Sequence, residues 1–87
     1  MRKESQTEFL EEKTKGNVRI RLHCFETTDG KRYGLELSAF NEMTAKYKLL
    51  FFRSGLTLHE GEAMFEESAS FVNGYNWDTE EFVPQSA

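Results

Sequence analysis

The sequence predicts an α+β fold in the order α-β-β-α-α: a short N-terminal helix, a β-hairpin, and two antiparallel helices packed on one face of that hairpin. Residues 17–38 alternate apolar and polar side chains around an Asp-Gly dipeptide, which indicates a hairpin. Residues 39–53 and 57–72 repeat apolar side chains at helical spacing. At 87 residues the chain has the length of one domain.

Residues 6–14 are predicted to form the first helix. Ser5 and Glu8 have the S-x-x-E spacing of a capping box, in which each side chain binds a backbone N–H at the helix start. Phe9 and Leu10 are the only apolar side chains in this segment. We therefore expect the helix to dock on the domain without carrying a core.

The hairpin is expected to turn at Asp29-Gly30, because this dipeptide suits the positive φ angles of a type I′ turn. A two-residue turn there pairs His23 with Glu36 and places Phe25 over Gly34. The apolar side chains then share one face, made of Val18, Ile20, Leu22, Cys24, Tyr33, Leu35 and Leu37.

Residues 39–53 are predicted to form the second helix. One face carries the core stripe of Phe40, Met43, Tyr47, Leu50 and Phe51. A different face carries a second apolar patch of Ala45, Leu49 and Phe52. This helix thus has two apolar faces, and the second is available to a partner or to a second copy of the chain.

The third helix is predicted to begin at a capping box formed by Thr57 and Glu60 and to continue to about Val72. Its outer face contains Glu60, Glu62, Glu66 and Glu67 and no cation. We expect residues 1–75 to form the α+β domain. Residues 76–87 form an acidic, aromatic C-terminal tail that is expected to be partly disordered, with Trp77 packed on the domain.

Self-association is expected for a chain of this size. A small domain buries a limited share of its surface, and the single Cys24 excludes an internal disulfide. A lone two-stranded sheet is also marginally stable. The sequence therefore predicts a homodimer, formed by extending the sheet or by burying the patch of Ala45, Leu49 and Phe52.

The sequence offers no pattern for catalysis, so we expect the protein not to be an enzyme, with no catalytic residues, metal, cofactor or small-molecule substrate. His23 and Cys24 point to opposite faces of a strand, and His59-Glu60 does not continue into a metal-binding motif. No phosphate-binding loop or dinucleotide fingerprint is present. Residues 1–15 contain no apolar run, which predicts a cytoplasmic location without a membrane segment.

Charge suggests a protein partner with a basic surface. Residues 1–54 hold all 11 basic residues and eight acidic ones, for a net +3, whereas residues 55–87 hold seven acidic residues and no basic one. Such asymmetry bears on partners and association. The acidic residues expected to contact the partner are Glu60, Glu62, Glu66, Glu67, Asp78, Glu80 and Glu81.

In size and charge the chain resembles small acidic proteins of phages and mobile elements, including inhibitors of CRISPR nucleases. That resemblance implies an inhibitor or regulator that mimics nucleic acid and engages the nucleic-acid-binding surface of its target. The compartment would then be the cytoplasm of a bacterial host. The other interpretation of the acidic segment is a solvated surface that keeps the protein soluble.

Nucleic-acid binding is the alternative function. The solvent face of the hairpin would carry Arg19, Arg21, His23, Phe25 and Arg32, which suits phosphates or a single strand. The order of a strand at residues 31–37, a helix, and Gly55-Leu56-Thr57 before another helix resembles ribbon-helix-helix repressors. That resemblance implies that Arg32, Gly34 and Glu36 face DNA, although Gly and Glu are poor readers of bases. A solubilised, exposed hairpin edge is the remaining interpretation of these residues.

Overall fold

The computed structural model describes residues 7–84, with side chains described from residue 9 onward. A four-stranded antiparallel sheet in the order β1-β2-β3-β4 is followed by one helix and a two-stranded hairpin. The elements are β1 Thr7–Lys15, β2 Val18–Thr27, β3 Gly30–Asn41, β4 Lys46–Leu56, α1 Leu58–Phe71, β5 Val72–Asn76 and β6 Glu81–Pro84. The predicted α-β-β-α-α order is therefore wrong, because strands replace the first two predicted helices.

Residues 7–15 form a strand that pairs with β2, so the prediction of an N-terminal helix is wrong. The expected cap, Ser5, lies outside the described residues. With only Phe9 and Leu10 to bury, this segment lacks the apolar stripe that stabilises a short helix by packing. Pairing with β2 instead satisfies its backbone groups along the length of the strand.

The β2–β3 hairpin is confirmed, but its register differs from the predicted one by two residues. Thr27 pairs with Gly30, so the turn residues are Thr28 and Asp29. Neither has a positive φ, which excludes a type I′ turn; Gly30 adopts φ 107° after the turn. The Thr27 hydroxyl donates to the Gly30 carbonyl at 2.6 Å and closes the turn.

A shift of two residues leaves every side chain on its predicted face, whereas a shift of one would reverse the faces. Leu22 pairs with Leu35, and His23 pairs with Gly34. The predicted apolar face is therefore correct although the predicted partners are not.

Residues 39–53 do not form a helix; they complete β3, turn, and form most of β4. Ala45 occupies the turn with φ 58°, and its amide donates to the Asn41 carbonyl at 2.7 Å. The two apolar faces predicted for a helix here belong to a strand with apolar side chains on both sides. Pairing with β3, which residue spacing alone does not reveal, decides the conformation.

Helix α1 is confirmed, together with its capping box. Thr57 Oγ1 accepts a hydrogen bond from the Glu60 amide at 3.1 Å, and Glu60 Oε1 accepts one from the Thr57 amide at 2.9 Å. Gly61 lets the helix approach the sheet, because a Cβ at this position would lie 2.9 Å from Leu22 Cδ1. The helix passes directly into β5 at Val72.

The core lies between α1 and one side of the sheet. Its members are Val18, Ile20, Leu22, Leu35, Leu37, Ala39, Phe65, Ala69 and Val72. The β5–β6 hairpin docks on the same side, where Asn17 donates to the Tyr75 carbonyl and accepts from the Tyr75 amide. Trp77 packs against the core and donates to the Phe40 carbonyl at 2.9 Å, which confirms the packing predicted for it.

In residues 7–84, α1 is too short and too polar to cross a lipid bilayer. The four-stranded sheet thus has one side covered by α1 and the β5–β6 hairpin. No described element covers its other side, which we call the open sheet face.

Candidate binding surfaces

The open sheet face collects side chains from all four strands. Arg19, Arg21, His23 and Phe25 alternate along β2 with the core residues, and their cross-strand neighbours share their side of the sheet. The face consists of Phe9, Glu12, Thr14, Arg19, Arg21, His23, Phe25, Arg32, Gly34, Glu36, Ser38, Phe40, Tyr47, Leu49 and Phe52.

A hydrogen-bonded carboxylate lies at the centre of this face. Glu36 accepts from Arg21 Nε at 3.3 Å, from Arg21 Nη2 at 3.2 Å and from the Ser38 hydroxyl at 2.7 Å, and His23 Nε2 lies 2.6 Å from its Oε1. Burial disfavours the charged carboxylate, but hydrogen bonds from Ser38 and His23 and the Arg21 charge outweigh it. The pKa of Glu36 is therefore below its ordinary value, and the group is ionised at neutral pH.

Aromatic rings surround His23. Its ring centroid lies 4.8 Å from that of Phe9, 6.1 Å from that of Phe25 and 6.0 Å from that of Phe52. These rings leave His23 only 8% exposed although it lies on the open side of the sheet. We call Phe9, His23, Phe25 and Phe52 the aromatic platform; Phe9 is 53% exposed and Phe52 44%.

Two contacts expected from the sequence are present in altered form. His23 contacts Glu36, and Phe25 covers Gly34, where a Cβ would lie 3.0 Å from the Phe25 ring. Because of the two-residue register difference, both are diagonal contacts between strands. Gly34 therefore leaves the space that the Phe25 ring occupies, because a Cβ here would crowd that ring.

The three arginines of the face differ in how far they are engaged. Arg21 is ion-paired with Glu36 and lies 4.1 Å above the Phe9 ring. Arg19 lies 3.8 Å above the Tyr47 ring, and its Nε is buried without a hydrogen-bond partner among the described residues. Arg32 donates to the Lys31 carbonyl and lines a depression of about 380 Å³. Arg19 and Arg32 therefore keep their charge available to a ligand.

The opposite surface is acidic. We call the exposed carboxylates of α1 and the β5–β6 hairpin the acidic layer, which comprises Glu60, Glu62, Glu66, Glu67, Asp78, Glu80 and Glu81. This layer contains no Lys or Arg, since every basic residue of the chain precedes Gly55. The carboxylates of the C-terminal segment thus lie on the helix side of the sheet, to which Lys13, Lys15, Lys48 and Arg53 also belong by their pairing with core residues.

The structure does not bring together the predicted patch of Ala45, Leu49 and Phe52. Ala45 lies in the β3–β4 turn, whereas Leu49 and Phe52 lie on the open sheet face, 56% and 44% exposed. The resemblance to ribbon-helix-helix repressors also fails. Residues expected to form the first helix of that motif belong mostly to β4. Arg32, Gly34 and Glu36 do share a face, but Gly34 and Glu36 are covered by neighbouring side chains.

Sequence reasoning found the β2 and Arg32 side chains of the open sheet face but missed the roles of Phe9 and Tyr47. Both lie on strands that were predicted as helices. Alternation of Tyr47 and Leu49 with Lys46 and Lys48 is a strand signal that could have placed Tyr47 on an exposed face.

The described residues contain no group of three or more His, Cys, Asp or Glu side chains that could hold a metal ion. Cys24 is buried on the helix side, whereas His23 lies on the open side. These two groups therefore cannot act on one substrate.

Glu36→Gln tests the central carboxylate. Because the pKa of Glu36 is lowered by folding, its ionised form stabilises the fold at neutral pH and loses that effect as pH falls through the folded pKa. We expect the variant to lose about 1–3 kcal/mol of unfolding free energy at neutral pH. The difference from wild type should narrow as pH falls below about 4. Urea denaturation between neutral and acidic pH measures the difference in unfolding free energy between Glu36→Gln and wild type. Glu42→Gln, at an exposed position, is the control. A difference in unfolding free energy that does not change with pH would contradict this account.

Comparisons with protein-family models, curated proteins and solved structures give no match for this chain. The open sheet face and the acidic layer are therefore the two features from which a function can be inferred.

Proposed function

We propose that this protein binds single-stranded nucleic acid on its open sheet face. The observation that carries the proposal is the convergence of Arg19, Arg21, His23, Phe25 and Arg32 on one side of the sheet, beside exposed aromatic rings. Stacking of bases on aromatic side chains, with cations contacting the backbone, is the general mode of single-strand binding.

The geometry favours a single strand over a duplex. The exposed rings of Phe9, Phe52 and Tyr47 can stack only on bases that are not already stacked in a helix. Within residues 7–84 the open sheet face carries no helix that could enter a major groove, and α1, on the other side, carries carboxylates that phosphates would repel. We therefore infer that unpaired bases stack on the open sheet face, and that α1 does not contact the nucleic acid.

Stacking should contribute more to affinity than charge. Glu36 neutralises Arg21, which leaves Arg19 and Arg32 as the guanidinium groups available to phosphates. The acidic layer repels phosphates from the opposite side and confines the strand to the open sheet face. Binding of this kind depends less on salt than binding by a strongly basic groove.

Phe52→Ala tests the stacking contribution. Loss of one stacked base should weaken binding of a labelled 12-nucleotide strand by about 5- to 150-fold, as measured by fluorescence anisotropy. Phe71→Ala is the matched control, because this ring is 63% exposed but lies on α1, on the other side of the sheet. Three results would overturn the proposal. They are equal weakening by Phe52→Ala and Phe71→Ala, equal affinity of wild type for the single strand and a duplex, and no binding of wild type to either nucleic acid.

Arg19→Gln and Arg32→Gln test the charge contribution. Each should reduce the magnitude of the slope of log affinity against log salt by about 0.7, the value for one phosphate contact with a single strand. Arg53→Gln is the control. Arg53 pairs with the core residue Leu35, so its side chain leaves β4 on the helix side of the sheet. An unchanged slope in both test variants would remove Arg19 and Arg32 from the proposed site.

A second candidate function is binding of a protein with a basic surface through the acidic layer. Seven exposed carboxylates on elements that carry no Lys or Arg favour it, since such a field speeds association with a basic partner. In this role the protein would be an inhibitor or regulator of the phage or mobile-element type, acting in a bacterial cytoplasm on a nucleic-acid-binding target.

Retention of bacterial lysate proteins by the immobilised chain tests this second function. A partner of the acidic layer should be retained by wild type, displaced by short DNA, and lost with Glu62→Gln, Glu66→Gln and Glu67→Gln combined. The control combines Glu11→Gln, Glu12→Gln and Glu42→Gln, which remove the same charge outside the layer. A partner retained equally by both variants would not use the acidic layer.

A further inference from the structure

An apolar groove lies between α1 and β4, on the helix side of the sheet. Its volume is about 370 Å³, and Leu37, Phe51, Met64, Phe71 and Phe82 contribute to its lining. Phe51 is 40% exposed and Phe71 63%, and no described element covers the groove. Contiguous exposed apolar surface of this kind marks interaction sites.

The two elements that border the groove, α1 and β4, carry charges of opposite sign on this side of the sheet. Glu67 lines the helix wall, and Glu60 lies on the same stripe of α1, because the two are seven residues apart. On β4, Lys48 pairs with Ala39 and Arg53 pairs with Leu35. Both side chains therefore leave the strand on the helix side of the sheet. Among the described residues, neither Lys48 nor Glu67 forms an ion pair.

We propose that a second copy of this chain covers the groove in a twofold dimer. An interface between identical patches must be complementary to itself. This surface has an apolar centre flanked by carboxylates on one wall and cations on the other. A twofold rotation therefore brings Glu67 of one copy to Lys48 of the other while Phe51 and Phe71 meet at the centre.

This dimer is formed by side-chain packing across the groove. It is not formed by hydrogen bonding between the β4 edge strands of two copies. The β3–β4 ladder has two irregularities, at Tyr33/Leu35 and at Leu37/Ser38. Together with Lys46 and Lys48, they make β4 a poor edge for joining another strand. The groove dimer also leaves the open sheet face of each copy free, so it is independent of the proposed nucleic-acid binding.

Sedimentation equilibrium over a micromolar concentration series tests the dimer. The mean mass of wild type should rise towards twice the chain mass of 10.2 kDa. Phe71→Ser should remain monomeric while keeping the wild-type circular dichroism spectrum, because the ring is largely exposed in one copy. A wild-type chain that is monomeric throughout the series would overturn the proposal.

Charge reversal identifies the surface. Lys48→Glu makes both walls acidic and Glu67→Lys makes both basic, so each variant alone should dimerise about fivefold more weakly. An equimolar mixture should recover dimers, because the two variants complement each other across the twofold axis. Glu66→Lys is the matched control: it makes the same change one position away, on a different stripe of α1, and should dimerise like wild type.

Two outcomes would place the interface elsewhere. Dissociation by Glu66→Lys equal to that by Glu67→Lys would indicate a general charge effect. Dissociation by Phe52→Ala but not by Phe71→Ser would indicate that the open sheet face is the dimer interface. Either result would contradict the groove dimer.

Discussion

Side-chain alternation in the paired strands β2 and β3 divides this molecule into two sides. Val18, Ile20 and Leu22 point towards α1, and the intervening Arg19 and Arg21 point away from it. The core and the open sheet face are thus set by a single register. A one-residue slip of either strand would place arginines under the helix and leucines in water, so the same constraint protects both stability and the candidate site.

The partly buried charge at the centre of the open sheet face is covered by neighbouring side chains. Glu36 receives hydrogen bonds from Arg21 and Ser38 and contacts His23, so its charge is satisfied without a second layer. The rings of the aromatic platform then exclude water from His23. Ring contacts already present in the free protein would lower the entropy cost of the proposed binding.

The elements that could be predicted from the sequence are those with local signals. Helix α1 begins at a capping box formed by Thr57 and Glu60, and the β2–β3 hairpin follows from alternation around a turn. Strand β1 has no comparable local signal, and β4 has only the short alternation of residues 46–49, so pairing with β2 and β3 determines their conformation. Their residue spacing also fits a helix, which is why the N-terminal segment and residues 39–53 were predicted wrongly.

The same distinction explains which parts of the candidate site were predictable. Arg19 and Arg21 depend only on the hairpin, so their common face followed from the sequence. Phe9 and Tyr47 reach the arginines only because β1 and β4 flank the hairpin. Sequence patterns thus indicated a basic face, and long-range strand pairing makes that face aromatic, which changes the chemistry expected of it from phosphate contact to base stacking.

The order of charges along the chain gives the three surfaces different chemistry. Because all basic residues precede Gly55, the elements added after the sheet contribute only carboxylates, and α1 and β5–β6 necessarily form an acidic side. The groove lies between α1, which carries carboxylates and no Lys or Arg, and β4, which carries Lys48 and Arg53. In the functions proposed above, a polyanion would contact the open sheet face and a basic protein the acidic layer, while a second copy of the chain would cover the groove.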